Sequence, residues 1–106
     1  MANDRYVCID IEMSRLTSKE KSLVPGLSSE TIQIGAVMLD ENYNVISKFQ
    51  TYVKPSFSHV TEDIEELTGI KNSQLKHADD FVTALDKYTA WVGNPKIVTF
   101  CWDQLD

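Results

Sequence analysis

Asp10 and Glu12 are the residues of this chain whose chemistry most needs explaining. They close an apolar run, Tyr6-Val7-Cys8-Ile9-Asp10-Ile11-Glu12, whose β-branched residues at alternate positions predict a strand. Successive strand side chains point to opposite faces, so residues two apart share one face. Two like charges held side by side resist ionisation unless a counter-charge is supplied. A divalent cation supplies it. Hard ions such as Mg²⁺ and Mn²⁺ prefer carboxylate oxygens, and a site with few protein ligands leaves positions for phosphate and water. An Asp-x-Glu spacing is common by itself, and a strand end emerging into solvent also carries it. The pattern around the pair is what gives it weight.

The elements that must position the pair can be read along the chain. Ser14 to Ser29 is polar, with Pro25-Gly26 as a turn signal, and reads as a long irregular loop. Thr31 to Leu39 and Val45 to Val53 read as strands, and the short Asp40–Asn44 connection makes them an antiparallel hairpin. Thr61 is a good N-cap for a short helix, with Glu62 and Asp63 in its first turn and Gly69 as its stop. A second helix is predicted from about Asp79 to Val92, with Phe81, Leu85, Tyr88 and Val92 as its apolar stripe and Gly93 and Pro95 closing it. Trp91 lies beside that stripe and should be partly buried, and the aromatics, Phe57 included, should pack rather than stack on bases. Ile97 to Trp102 is apolar at nearly every position, as in a strand covered on both faces. A helix between strands implies a crossover, so this last strand should run parallel to an earlier one.

Bulk properties bound the reading. A chain of 106 residues holds one domain at most. Its 42% hydrophobic and 25% charged residues fit an ordinary globular protein and argue against disorder. The net charge of −6 argues against binding phosphate backbones by electrostatics alone, though a carboxylate site whose cations reverse the local sign is compatible with it. Cys8 and Cys101 have no metal-ligand spacing and read as buried, reduced thiols. Met1–Arg5 is polar and the apolar run after it is short, so neither a signal peptide nor a membrane span is expected, and a cytoplasmic location follows by default.

Four stretches in order resemble the DnaQ-like, or DEDD-type, 3′-to-5′ exonucleases of the ribonuclease H-like fold. Tyr6 to Ser14 is similar to their first motif, an apolar strand ending in Asp-x-Glu and a small hydroxyl residue. Glu30-Thr31-Ile32-Gln33-Ile34-Gly35-Ala36-Val37 resembles their second strand, Leu67-Thr68-Gly69-Ile70 their Leu-Thr-Gly-Ile turn, and Val98 to Asp106 their second motif. The region around Trp102 looks nearest the ERI-type branch that trims RNA ends. On that alignment Asp106 is the second-motif aspartate; a rival alignment on Trp102-Asp103 would make Asp103 the ligand. The former keeps the apolar strand intact up to Trp102.

The resemblance implies an α/β fold with a ribonuclease H-like mixed sheet in β-β-β-α-β order, truncated after its fourth strand. It implies hydrolysis of the terminal phosphodiester of a single-stranded nucleic-acid 3′ end, RNA or DNA. Two divalent cations, Mg²⁺ or Mn²⁺, would sit about 4 Å apart to clamp the in-line displacement. Asp10, Glu12 and Asp106 would be the catalytic metal ligands. The family's general base is a histidine of a third motif, followed by a fourth carboxylate. His59 and His77 both precede the second motif, so they read as surface or helix-flanking residues. Residues 1–106 are therefore expected to be the N-terminal part of a single, incomplete exonuclease domain, inactive or nearly so alone. Within the fold, the Ser14–Ser29 segment with Arg15, Lys19 and Lys21 could reach phosphates, although a mobile surface loop is its plainer reading. A last strand with an unpaired edge would recruit a partner, giving a homodimer or a swapped assembly. The rival functions are a non-catalytic interaction or regulatory module on the same fold, and a ribonuclease H-like enzyme of another class, such as an endonuclease or a polymerase-associated proofreader.

Overall fold

A computed structural model describes residues 4–93 and the backbone of residues 98–101. Within these limits the order is β1 (Tyr6–Arg15), α1 (Ser18–Leu23), β2 (Ser29–Leu39), β3 (Val45–Tyr52), α2 (Glu62–Thr68), α3 (Asn72–Leu75), α4 (Phe81–Val92) and β4 (Val98–Cys101). The strands form one sheet in the order β3-β2-β1-β4. β1 and β2 pair antiparallel, as do β2 and β3, while β4 runs parallel to β1. The parallel return expected of the helical crossover is therefore present. Asp103 and Asp106, like Trp102, lie outside the described residues.

Helices cover the two faces of the sheet at different ends. Phe49 lies opposite Ala36 and Tyr52 opposite Gln33. Three residues apart on one strand, they point to opposite faces. Phe49 packs with Val7, Ala36 and Met38 and with Tyr88 and Trp91 of α4. Tyr52 packs instead with Ile32, Val60, Ile70 and Leu75, where α2 and α3 sit. Ile32 and Ile34 would share a face in a regular strand, yet Ile34 packs with Val53 and Ala84 on the α4 side. The reason is a register shift. Glu12 faces Gln33 and Met13 faces Thr31, so Ile32 is passed over in the ladder. Such a bulge re-aims a side chain; here it turns Ile32 into the second cluster, where it is fully buried. Burial of that kind contributes about 1.5–3 kcal/mol for each such aliphatic side chain.

Several local expectations are corrected. The Ser14–Ser29 segment is not an irregular loop. β1 continues to Arg15, and α1 follows, opened by a capping box in which Thr17 Oγ1 accepts from the Glu20 amide while Glu20 accepts from the Thr17 amide at 2.8 Å. Thr-x-x-Glu is the sequence signature of that device. α3 was not foreseen, being a single turn. α2 begins and ends as expected, with Thr61 as N-cap and Gly69 left-handed at φ 75°. α4 starts at Phe81 behind an Asp80 cap. Half of its expected apolar stripe holds: Tyr88 and Val92 pack against the sheet, joined by Ala84 and Trp91, whereas Phe81 and Leu85 are exposed. Ala84, too small to register as a stripe residue, is the closest-packed position of the helix. Trp91 is partly buried as expected, and its indole N–H donates to Ser47 Oγ at 2.8 Å. Phe57 is not packed away but 47% exposed. Cys8 is exposed rather than buried, because α4 covers only the odd-numbered side of this end of β1. The Cys101 side chain lies outside what is described. No helix among the described residues is long and apolar enough to cross a membrane.

Candidate active site

β1 carries Cys8, Asp10, Glu12 and Ser14 at alternate positions, and burial rises along that face. Cys8 and Asp10 are exposed, Glu12 is half-buried, and Ser14 is fully buried. The cause is the segment leading into α2, which crosses this end of the face; Ser14 Oγ donates to the His59 carbonyl at 3.1 Å. On the odd-numbered face the gradient runs the other way. Val7 is buried beneath α4, whereas Ile11 and Met13 are about two-fifths exposed.

Asp10 and Glu12 thus stand together where the α2–α3 layer begins, on one face, as their spacing requires. Asp10 lies opposite Gly35, where the absence of a side chain leaves its neighbour position open. Glu12 stands at the register shift. Burial, and secondarily the adjacent Asp10 charge, push the Glu12 carboxyl above its ordinary value. A half-buried carboxylate beside another carboxylate is a donor set that fits a hard divalent cation, which would relieve both effects. Among the described residues no third Asp, Glu, His or Cys completes a cluster around the pair. Asp106 and Asp103, the two residues expected from sequence as alternatives for the second-motif ligand, lie outside the described residues.

Two further carboxylates build the wall beside the pair: Glu30, which heads the second-strand stretch of the resemblance without a role assigned to it, and Glu20, which the sequence did not single out. Glu30, on β2 opposite Ser14, accepts from the backbone amides of Ser56, Phe57 and Ser58 at 2.8, 2.9 and 2.6 Å. Burial alone would raise its carboxyl, but these three donors hold it below its ordinary value. Glu20 of α1 reaches His59, with Oε2 2.6 Å from Nδ1. Its carboxyl is held low by the Thr17 amide first and by His59 second. These contacts tie the chain after β1 to the chain before α2. His59 and His77 are both exposed, in keeping with surface positions. Arg15, Lys19 and Lys21 are exposed on and around α1. The capping box could have revealed Glu20; nothing local to Glu30 betrays contacts made with residues 26 to 28 positions away.

Residues 7–100 match the RNase_T exonuclease family, and the chain belongs to that family. It is 33% identical over 85 residues to a PolC-type DNA polymerase III of Ureaplasma parvum, a match covering 80% of this chain and 5% of that protein. Its fold superposes on the nuclease domain of 3′hExo, a DEDDh family member solved with rAMP bound, with a TM-score of 0.76 and 25% identity over 93% of this chain and 52% of that one. A full-length 3′-exonuclease gives a TM-score of 0.77 at 24% identity, covering 95% of this chain and 34% of that one. A third structure, of cell-death related nuclease 4, gives 0.74 at 24% identity over 94% of this chain and 35% of that one. The chain thus spans only a small part of its curated relative and one-third to one-half of these solved chains. The fold is the DnaQ-like exonuclease form of the ribonuclease H-like α/β architecture.

Proposed function

We propose that this chain is part of a metal-dependent 3′-to-5′ exonuclease that hydrolyses the terminal phosphodiester of a single-stranded nucleic acid. The observation that carries the reading is the pair Asp10 and Glu12, sharing one face at the rim of the α2–α3 layer, within a chain of exonuclease family. Asp10, exposed and opposite a glycine, is open to a bound phosphate group. Glu12 is half-buried, and burial with the adjacent Asp10 charge raises its carboxyl, so a bound cation would favour its ionised form. Together with Asp106, or Asp103 on the rival alignment, they would hold two Mg²⁺ or Mn²⁺ ions, which when bound polarise the phosphodiester and lower the pKa of water. The chain's own part is to hold the ligands on a rigid central strand. The Ser14–His59 and Glu30 contacts brace the same face at its far end, so that little reorganisation is left for the reaction.

No histidine follows the second motif in these 106 residues. A general base would then come from elsewhere in a longer protein, and residues 1–106 alone should turn over substrate poorly or not at all. The resemblance around Trp102 favours RNA as the substrate, with DNA as the other outcome. The test is release of nucleoside monophosphate from 3′-labelled RNA and DNA oligonucleotides in Mn²⁺. The full-length protein should be active and its Asp10→Ala variant should not. Robust turnover by residues 1–106 would overturn the claim that the base lies outside them. If Asp10→Ala bound Mn²⁺ as well as the parent, the catalytic reading would fail in favour of a non-catalytic module.

A further inference from the structure

The chain carries 16 acidic residues against 10 lysines and arginines. Its overall field therefore repels a polyanion, and any affinity for one must come from places where cations are gathered and acids are absent. One pocket, of about 360 Å³, has that character. Lys54, Ser58, Asn72, Ser73 and Lys76 line it, with no Asp or Glu on its walls. Neither lysine pairs with a carboxylate among the described residues, where Lys87 and His59 do. Ser58 is 8% exposed, its backbone amide donates to Glu30, and its buried hydroxyl helps hold the Glu30 carboxyl low. The Glu30 carboxylate near Ser58 is already engaged by three backbone amides, and it does not line this pocket. Asn72 is also committed: its amide donates to the Val60 carbonyl and accepts from the Val60 amide, both at 2.8 Å, which fixes the pocket floor to the segment entering α2.

The position matters as much as the charge. Leu75, on the pocket wall, packs in the cluster that covers the Asp10 and Glu12 face of the sheet. Ser58 precedes His59, whose carbonyl receives the Ser14 hydroxyl two residues beyond Glu12. The pocket therefore lies on the same side of the sheet as the carboxylate pair, past the segment that bounds the pair.

We propose that this pocket is a subsite for a backbone phosphate of the bound strand, a few nucleotides upstream of the 3′ end held at Asp10 and Glu12, with Lys54 and Lys76 supplying the charge and Ser73 a hydroxyl donor. This rests on the nuclease reading above. A phosphodiester suits the site because it brings one negative charge and acceptor oxygens to two cations and the Ser73 hydroxyl.

The experiment is binding of 5′-labelled single strands of three and of twelve nucleotides, each with a 3′-terminal phosphorothioate to block turnover, as a function of salt. For the twelve-nucleotide strand, Lys54→Gln/Lys76→Gln should weaken binding about tenfold and reduce the salt slope by about 0.7, the value for one neutralised phosphate on a single strand. The three-nucleotide strand, too short to reach the pocket, should bind both proteins equally. Lys54→Arg/Lys76→Arg should restore the affinity for the longer strand, which a folding defect would not allow. Unchanged affinity and slope in the double glutamine variant would overturn the proposal. So would inorganic phosphate binding that is lost in that variant while the longer strand binds as before, since the pocket would then hold free phosphate only. If the parent binds neither strand, the nuclease reading itself fails, an outcome distinct from loss confined to the longer strand.

Discussion

Glu30 shows how much a single carboxylate can organise in this protein. It accepts three backbone amides from residues 56–58 and so anchors the segment that buries Ser14 beside Glu12. Glu30→Ala should therefore lower stability by roughly 1–3 kcal/mol, since three amide donors, two of them at exposed residues, lose a charged acceptor; urea unfolding at neutral pH measures it. The same group predicts a pH dependence. Its folded carboxyl titrates below its ordinary value, so the stability it contributes is complete above the unfolded pKa of about 4.3 and is lost as pH falls through the folded one. Between pH 7 and pH 3 the parent should lose more stability than Glu30→Gln, and parallel losses would remove Glu30 from the account. None of this was legible in sequence, because a carboxylate's hydrogen-bond partners lie far along the chain. Asp10 and Glu12 were legible, because a shared face follows from strand geometry alone.

At the scale of the element, α4 and β2 carry the clearest lessons. The sequence pattern places the helix and the Tyr88 and Val92 half of its buried face, but large apolar residues also pointed to Phe81 and Leu85, which are exposed. The sheet accepts Ala84 instead, where close approach leaves no room. Ala84→Leu should cost about 1–3 kcal/mol through overpacking, while Val82→Ala, on the exposed side, should change stability by less than about 0.5 kcal/mol. Thermal or urea midpoints of the two variants decide between the two faces. In β2, the register shift at Ile32 moves one isoleucine from the α4 cluster to the other side of the sheet. Ile32→Ala should cost about 2–5 kcal/mol, and hydrogen exchange should quicken in the α2–α3 segment before it does in α4. The apolar alternation of β2 reads the same with or without a bulge, so this could not have been read from the residues.

For the molecule as a whole, the site couples to stability through metal. If Asp10 and Glu12 hold divalent ions, Mn²⁺ at a hundred times its dissociation constant should stabilise the protein by about 2.7 kcal/mol. That gain should disappear with EDTA and in Asp10→Ala, as read from the thermal midpoint. An equal Mn²⁺ shift in parent and variant would place the ions elsewhere. The sequence by itself determined the order of the four strands with α2 and α4 between the third and fourth, the parallel return of β4 and the common face of the two carboxylates, because periodicity, caps and the crossover rule are local or topological. It also left Asp10 and Glu12 as the ligands to test. Only the tertiary structure decided how that face is used. The α2–α3 layer closes one end of that face, Asp10 stays exposed beyond it, and Glu30, Glu20 and His59 brace the wall. Those contacts join residues tens of positions apart, and which distant groups meet depends on packing and register rather than on any pattern within a single strand or helix.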